Sequence, residues 1–265
     1  MKQFILESPR GADGFFRIEG RDFHYLVNVR RIKRGDVLNA ALPSGEREAL
    51  RVSVVDRGGR FCLLAGAGGV AEGLEYAAAG ALPTIILLQA VLGGVKMNAL
   101  VRQAAECGAS QVIPFAAERS VRRVVPVERL RRIVREARQQ SGSGVPTLVH
   151  AALEEREALS LWEEVKRTHE APLGLFFHTA VELPNAGAGL EHCSIALHSC
   201  LKEKADAIVL ALGPEGGFSE REAREFLARG FKPASLGPTV LRAETASLCA
   251  LAAVRIILWE RDSWN

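Results

Sequence analysis

One stretch constrains this chain more than any other: Leu210–Ala250, reading LALGPEGGFSEREAREFLARGFKPASLGPTVLRAETASLCA. It is entered through Ala207–Leu212, a short unbroken apolar run of the kind a buried strand shows. Gly213-Pro214-Glu215-Gly216-Gly217 follows, too rich in Gly and Pro for anything but a tight loop. Ser219 with Glu222 three residues on makes a capping box, so a helix starts there, and Gly230 ends it. Strand, glycine loop and helix in that order leave backbone N–H groups bare at the carboxyl end of a strand, where open α/β sheets place ligands. A second short run leads to a second loop, Leu236–Leu241, and to another helix. Two backbone-rich loops that converge would hold a flat, polar cofactor between them. On pattern alone, GPEGG equally fits a plain turn. It is neither the dinucleotide fingerprint G-x-G-x-x-G nor the phosphate loop G-x-x-x-x-G-K-[ST].

The rest of the chain supplies a frame for that stretch. Within residues 1–65, Asp36–Leu42 and Glu48–Asp56 flank the hairpin signal Pro43-Ser44-Gly45, and Leu50, Val52 and Val54 alternate with Arg51 and Ser53. Phe61–Leu64 adds a further strand, so this part is β-rich. Gly66–Gly80 holds five glycines with little periodicity, and a domain boundary is expected there, dividing the chain into residues 1–73 and 74–265. Beyond it strands alternate with helices: Thr84–Val91, a helix carrying Met97, Leu100, Val101 and Ala104 that stops at Gly108, then Gln111–Phe115, Val127–Gln140, Leu153–Thr168 and Leu173–Phe177. The last helix, about Thr245–Glu260, is apolar on most sides and is either deeply buried or shared with a partner chain.

Net charge is only +3 at pH 7, so any nucleic-acid signal must come from placement. Two clusters stand out. In His24–Gly35, Leu26, Val29 and Ile32 would share a helical face, leaving Arg30, Arg31, Lys33 and Arg34 bunched at one end. Arg119–Arg138 holds eight Arg and two acids, with Arg131, Arg135 and Arg138 on the outer face of the Val127–Gln140 helix. A solvated, salt-bridged face interleaves its signs more evenly, so RNA phosphate is the better partner for the second cluster.

The longest apolar runs, such as Leu82–Leu92 and Ala246–Ala253, are well short of the ~20 residues of a membrane span. MKQFILESPR lacks the apolar core of a signal peptide, and five cysteines without a C-x-x-C pair suit a reducing compartment. A cytoplasmic protein with no membrane partner is expected. His192, Cys193, His198 and Cys200 match no usual zinc spacing, so no metal site is assigned. No G-x-S-x-G elbow and no H-E-x-x-H occurs. Glu106, Glu215 and Glu244 are candidate acids or bases. Arg242 and Glu244, where the second loop becomes a helix, equally suit a helix-start charge pair.

LGPEGGFSEREA followed by SLGPTVLRAETASLCAL closely resembles the ribosomal RNA uridine-N3 methyltransferases of the SPOUT class. HYLVNVRRIKRGD, KMNALVRQAAECGASQVIPFAAERS and EARQQSGSGVPT extend the likeness over nearly the whole chain. The resemblance implies an α/β fold: an amino-terminal PUA-like β-barrel for RNA and a carboxyl-side domain with a deep trefoil knot. It also implies S-adenosylmethionine as methyl donor and a homodimer. The partner would be small-subunit ribosomal RNA or the assembled 30S subunit. Carried over by position, the cofactor sits on Leu212, Gly213, Pro214, Glu215 and Gly217, and on Leu236, Gly237, Pro238, Val240 and Leu241. Arg242 would steady the uracil anion and Glu244 take its proton. Arg30, Arg31, Lys33, Arg122, Arg123, Arg131, Arg135 and Arg138 would hold RNA. The sequence departs from the family pattern at Thr239 (commonly Arg), Ala243 (Thr), Cys107 (Leu) and Ser143 (Arg). The rival readings are a non-catalytic RNA-binding or assembly factor of the same fold, and a nucleotide-dependent enzyme using GPEGG for phosphate.

Overall fold

The computed structural model describes residues 3–44, 46–68, 83–178 and 197–260. The chain divides into two units, residues 1–80 with 138–146, and residues 81–137 with 147–265. The boundary expected between 73 and 74 lies outside the described residues, as do His192 and Cys193.

In the first unit, β1 (Phe4–Ile5), β2 (Phe16–Glu19), β3 (Val37–Ala41), β4 (Arg47–Asp56) and β5 (Phe61–Gly66) form one sheet in the order β1-β3-β4-β5-β2. All its pairings are antiparallel except β1 with β3. Phe4, Leu26, Leu50, Val52, Cys62 and Leu64 fill its core. Two expectations fail here, each because an extra residue shifts the phase. A bulge between Val52 and Val54 turns Val54 outward, 38% exposed. The segment after α1 (Gly20–His24) widens into a π-helical turn, Tyr25–Val29. Its closing bonds run from Arg30 N–H to the Tyr25 carbonyl and from Ile32 N–H to Leu26. Val27 therefore joins Leu26 and Ile32 inside, and Val29 stands 60% exposed. Arg30, Arg31 and Lys33 follow on the surface. Residues 138–146 are tied to this unit by the Gln3 side-chain amide, which donates to the carbonyls of Arg138 and Ser143, and by Arg47, which donates to Gly142.

The second unit follows the expected alternation: β6 (Thr84–Ala90), α2 (Gly94–Glu106), β7 (Gln111–Ala116), α3 (Val127–Ser141), β8 (Leu148–Val149), β9 (Leu153–Glu154), α4 (Glu155–Thr168), β10 (Pro172–Phe177), α5 (Leu197–Cys200), β11 (Ala207–Leu212), α6 (Glu220–Ala228), β12 (Lys232–Ala234) and α7 (Ala243–Glu260). Two helix starts shift by two residues from expectation. Leu153 and Glu154 pair with β7, so α4 starts at Glu155 behind a Glu154/Glu157 capping box. The last helix begins at Ala243 rather than Thr245.

The sheet is parallel throughout, in the order β12-β10-β11-β6-β7-β8, with β9 also on β7. Both faces are covered, which is why its strands read as continuous apolar runs. Ile85 and Leu87 face a core shared with Leu100 of α2, Leu130 of α3 and Leu251 of α7. Ile86 and Leu88 face the other, with Leu159 and Trp162 of α4 and Phe226 of α6. From β6 the chain builds outward through β7 and β8. It then opens the opposite side with β10, and β11 fills the place between β10 and β6. The carboxyl ends of β10, β11 and β12 are thereby gathered at one edge.

Candidate functional site

A cavity of about 700 Å³ opens at that edge, bounded by the ends of β10 (Phe177, His178), β11 and β12. All ten residues expected to hold a cofactor line it: Leu212, Gly213, Pro214, Glu215 and Gly217 on one side, Leu236, Gly237, Pro238, Val240 and Leu241 on the other. The departing Thr239 and Ala243 also line it. Apolar side chains and main chain make up much of the wall, with a few polar groups, among them Arg119, His178, Glu215 and Glu220, as expected of a small-molecule site.

The first loop is held from several directions. A Cβ on Gly213 would lie 3.1 Å from the Phe218 amide nitrogen, so any larger residue would press against the main chain of the turn. The Gly213 carbonyl accepts from the Gln89 side-chain amide at 3.3 Å. Gln89 is fully buried, and its Oε1 accepts from the Ser247 hydroxyl of α7 at 2.6 Å. Glu215 bonds Lys96 Nζ at 2.9 Å and the Gly93 amide, at the start of α2. The Lys96 bond is the main cause holding the Glu215 carboxyl below its ordinary range, and the Glu215 bond likewise raises Lys96. Arg119 Nη1 donates to the Gly216 carbonyl at 2.9 Å. The capping box is present and extended: buried Glu222 accepts from the Ser219 and Glu118 amides at 2.8 and 2.9 Å, and Ser219 Oγ donates to Glu118 at 2.8 Å.

The second loop is held differently. Among the described residues its hydrogen bonds are local, Ser235 Oγ accepting from the Gly237 amide and donating to the Gly237 carbonyl. Gly237 has φ +111°, a conformation that strains any L side chain. Val240 is 81% exposed.

Arg242 and Glu244 do not line the cavity; they stand at its rim, where the second loop enters α7. Arg242 is exposed, and its carbonyl accepts the first bond of the helix, from the Ala246 amide. Glu244 Oε2 is buried without a hydrogen-bond donor and lies 3.9 Å from Lys96 Nζ. One lysine thus stands between the carboxylate of the first loop and the carboxylate after the second.

The basic cluster is not uniform in its surroundings. Arg122, Arg129 and Arg132 are exposed, whereas Arg123 and Arg131 are paired with Glu154 and Glu128. Arg135 is half-buried. Arg138 belongs to the first unit and is also half-buried, so it is not the outward contact the helical pattern implies. Gln89, Lys96, Glu118, Arg119, His178 and Ser247 have no place in the sequence-derived site. Gln89 did leave a signal, as the polar residue in the apolar run TIILLQA.

Residues 81–255 match the RNA methyltransferase domain model. A ribosomal RNA small subunit methyltransferase E from Synechocystis is 31% identical over 89% of this chain and 71% of its own length. The Bacillus subtilis protein of that name is 25% identical over 96% of this chain and 92% of its own. A crystal structure of ribosomal RNA small subunit methyltransferase E from Neisseria gonorrhoeae, bound to S-adenosyl methionine, superposes with a TM-score of 0.76. It is 22% identical, with 97% of each chain covered. The last of these bears on the fold alone.

Proposed function

The chain belongs to the RNA methyltransferase family, alongside the ribosomal RNA methyltransferases of type E, and from that premise we propose an S-adenosylmethionine-dependent enzyme that methylates N3 of one uridine in bacterial 16S ribosomal RNA. The observation that carries this reading is convergence. Two segments separated by a whole helix and strand supply ten expected cofactor residues, and all ten line one cavity. The cavity suits the cofactor in size, at about 700 Å³, and in chemistry, with Leu212, Leu236 and Leu241 for a flat ring and bare main chain for its polar edge.

When bound, S-adenosylmethionine supplies a methyl group on a sulfonium, which leaves as a neutral thioether. The rest of the work falls to the chain. Uridine N3 is a weak nucleophile until its proton leaves, so the protein must orient the base and remove that proton. Glu244 Oε2, a buried acceptor lacking a donor, is suited to take it. Arg242, exposed at the rim, is suited to stabilise the charge developing on a uracil carbonyl.

Arg30, Arg31 and Lys33 in the first unit, with Arg122 and its neighbours in the second, hold ribosomal RNA phosphate. The first unit acts as a PUA-like RNA module, and the second carries the trefoil knot. The protein works in the cytoplasm as a homodimer, a reading supported by the outward Ile256 and Trp259 of α7, 54% and 44% exposed.

The test is methyl transfer from labelled S-adenosylmethionine to small-subunit ribosomal RNA, naked or in 30S particles, from cells lacking the protein. Nucleoside mass spectrometry should find 3-methyluridine at one position. RNA binding without methyl transfer would make the chain a non-catalytic factor, and a calorimetric blank with both S-adenosylmethionine and S-adenosylhomocysteine would defeat the reading altogether.

A further inference from the structure

Among the described residues of the cavity wall, Arg119 is the one Arg or Lys. Two carboxylates share that wall, and each has its own cation: Glu215 is bonded to Lys96, and Glu220 to Arg224. Arg119 is different. It bonds main-chain carbonyls, Gly216 at 2.9 Å and Phe218 at 3.4 Å, both through Nη1. Neutral carbonyls do not cancel its charge, and Nε and Nη2 have no hydrogen-bond acceptor among the described residues. A guanidinium keeps two parallel N–H donors on such a face, a fork that fits a carboxylate.

The residue is also fixed in place. It directly follows Glu118, whose amide donates to buried Glu222 at 2.9 Å and whose carboxylate accepts from Ser219 and Arg221. Its aliphatic stem lies along the loop, where a Cβ on Gly216 would come within 3.3 Å of its Cβ and Cδ. That contact is a reason for glycine at 216. His178, at the end of β10 in the same cavity, is not a competing cation. Burial chiefly, and then the charge of Arg119, depress its imidazole. Among the described residues the cavity wall therefore presents one permanent positive group, with the Glu118 carboxylate near it but no hydrogen-bond acceptor on its Nε/Nη2 face.

We propose that Arg119 is the carboxylate-binding residue of the donor pocket, taking the α-carboxylate at the amino-acid end of S-adenosylmethionine through its Nε/Nη2 face. This rests on the reading that the donor occupies this cavity. Arg119 is therefore a binding residue for the cofactor, distinct from the RNA-phosphate cluster that begins at the same position in sequence.

The experiment compares S-adenosylmethionine with decarboxylated S-adenosylmethionine, which differ only in that group, by calorimetry on the intact protein. Wild type should prefer the carboxylate-bearing ligand by roughly 10- to 100-fold. Arg119→Met should erase the preference by weakening S-adenosylmethionine alone, and Arg119→Lys should restore part of it. Equal weakening of both ligands would mean that Arg119 acts only by supporting the loop, and would overturn the proposal. So would unchanged affinities, or a wild-type protein that does not discriminate, a result needing no variant. A wild type that binds neither ligand would instead remove the donor-pocket reading itself.

Discussion

The two loops that wall the cavity are built by opposite means. Gly213–Gly217 is gripped by side chains from β6, α2 and the segment after β7, through Gln89, Lys96 and Arg119. Its exit is locked by Glu118 and Glu222. The stretch from Ser235 to Leu241 is braced by its own serine and leaves Gly237, Pro238, Thr239 and Val240 exposed. One wall is set before a ligand arrives. The other is held by few hydrogen bonds, and local opening is drawn from such sparsely bonded segments. Chemistry is expected beside the second wall, where Arg242 and Glu244 stand, while the first wall supplies the fixed reference against which a methyl donor is aligned.

The largest effect that would break or sharpen this contrast lies at the end of the second loop. Arg242→Ala should slow single-turnover methyl transfer by roughly 10²- to 10³-fold, with S-adenosylhomocysteine affinity within about threefold of wild type. A parallel loss of affinity would make Arg242 part of the holding wall instead. Next comes Glu222→Ala, which leaves the amides of Glu118 and buried Ser219 without their acceptor. Urea unfolding should show a loss of about 2–4 kcal/mol, against about 0.5 kcal/mol or less for exposed Thr239→Ala. Comparable losses at both would erase the contrast.

Glycine substitutions separate two kinds of constraint. Gly213→Ala drives a methyl against the Phe218 main chain, 3.1 Å away, and should cost about 1–3 kcal/mol by overpacking. Gly237→Ala meets no neighbour and is opposed only by its φ, at about 1–2 kcal/mol. Both are read from denaturant midpoints.

The smallest effect is electrostatic. Glu215 is depressed chiefly by Lys96, so its share of stability is present above the ordinary carboxylate pKa of about 4.3 and is lost as pH falls through its lower folded value. Lys96 is raised, so its share persists at neutral pH and fades only as pH climbs past the ordinary lysine range. Lys96→Met should lower the melting temperature slightly near neutrality, and the gap to wild type should close as pH falls through the Glu215 carboxyl range.

Much of this molecule was legible as sequence where the governing interactions are local. The capping box at Ser219 and Glu222, the stop at Gly108 and the strand Ala207–Leu212 each depend on neighbours a few residues away. Phase was lost where one inserted residue acts, at the bulge before Val54 and the π-helical turn before Arg30. A period count assumes a constant rise, and neither feature announces itself in residue type. The Arg119–Arg138 cluster read as one basic surface because charge was counted along the chain. In space Arg119 turns to the cavity, Arg123 and Arg131 find acids, and Arg138 joins the other unit.

The sequence by itself determined that two glycine-bearing loops follow buried strands and that helices start behind them, since backbone conformation and capping are decided within one turn. Only the tertiary structure decided what those loops face. Gln89 meets Gly213 across 124 residues, Arg119 meets Gly216 across 97, and Ser247 meets Gln89 across 158. Such pairings exist because β11 enters the sheet between strands laid down long before it. No local preference encodes that order; it follows from which apolar faces can be buried together.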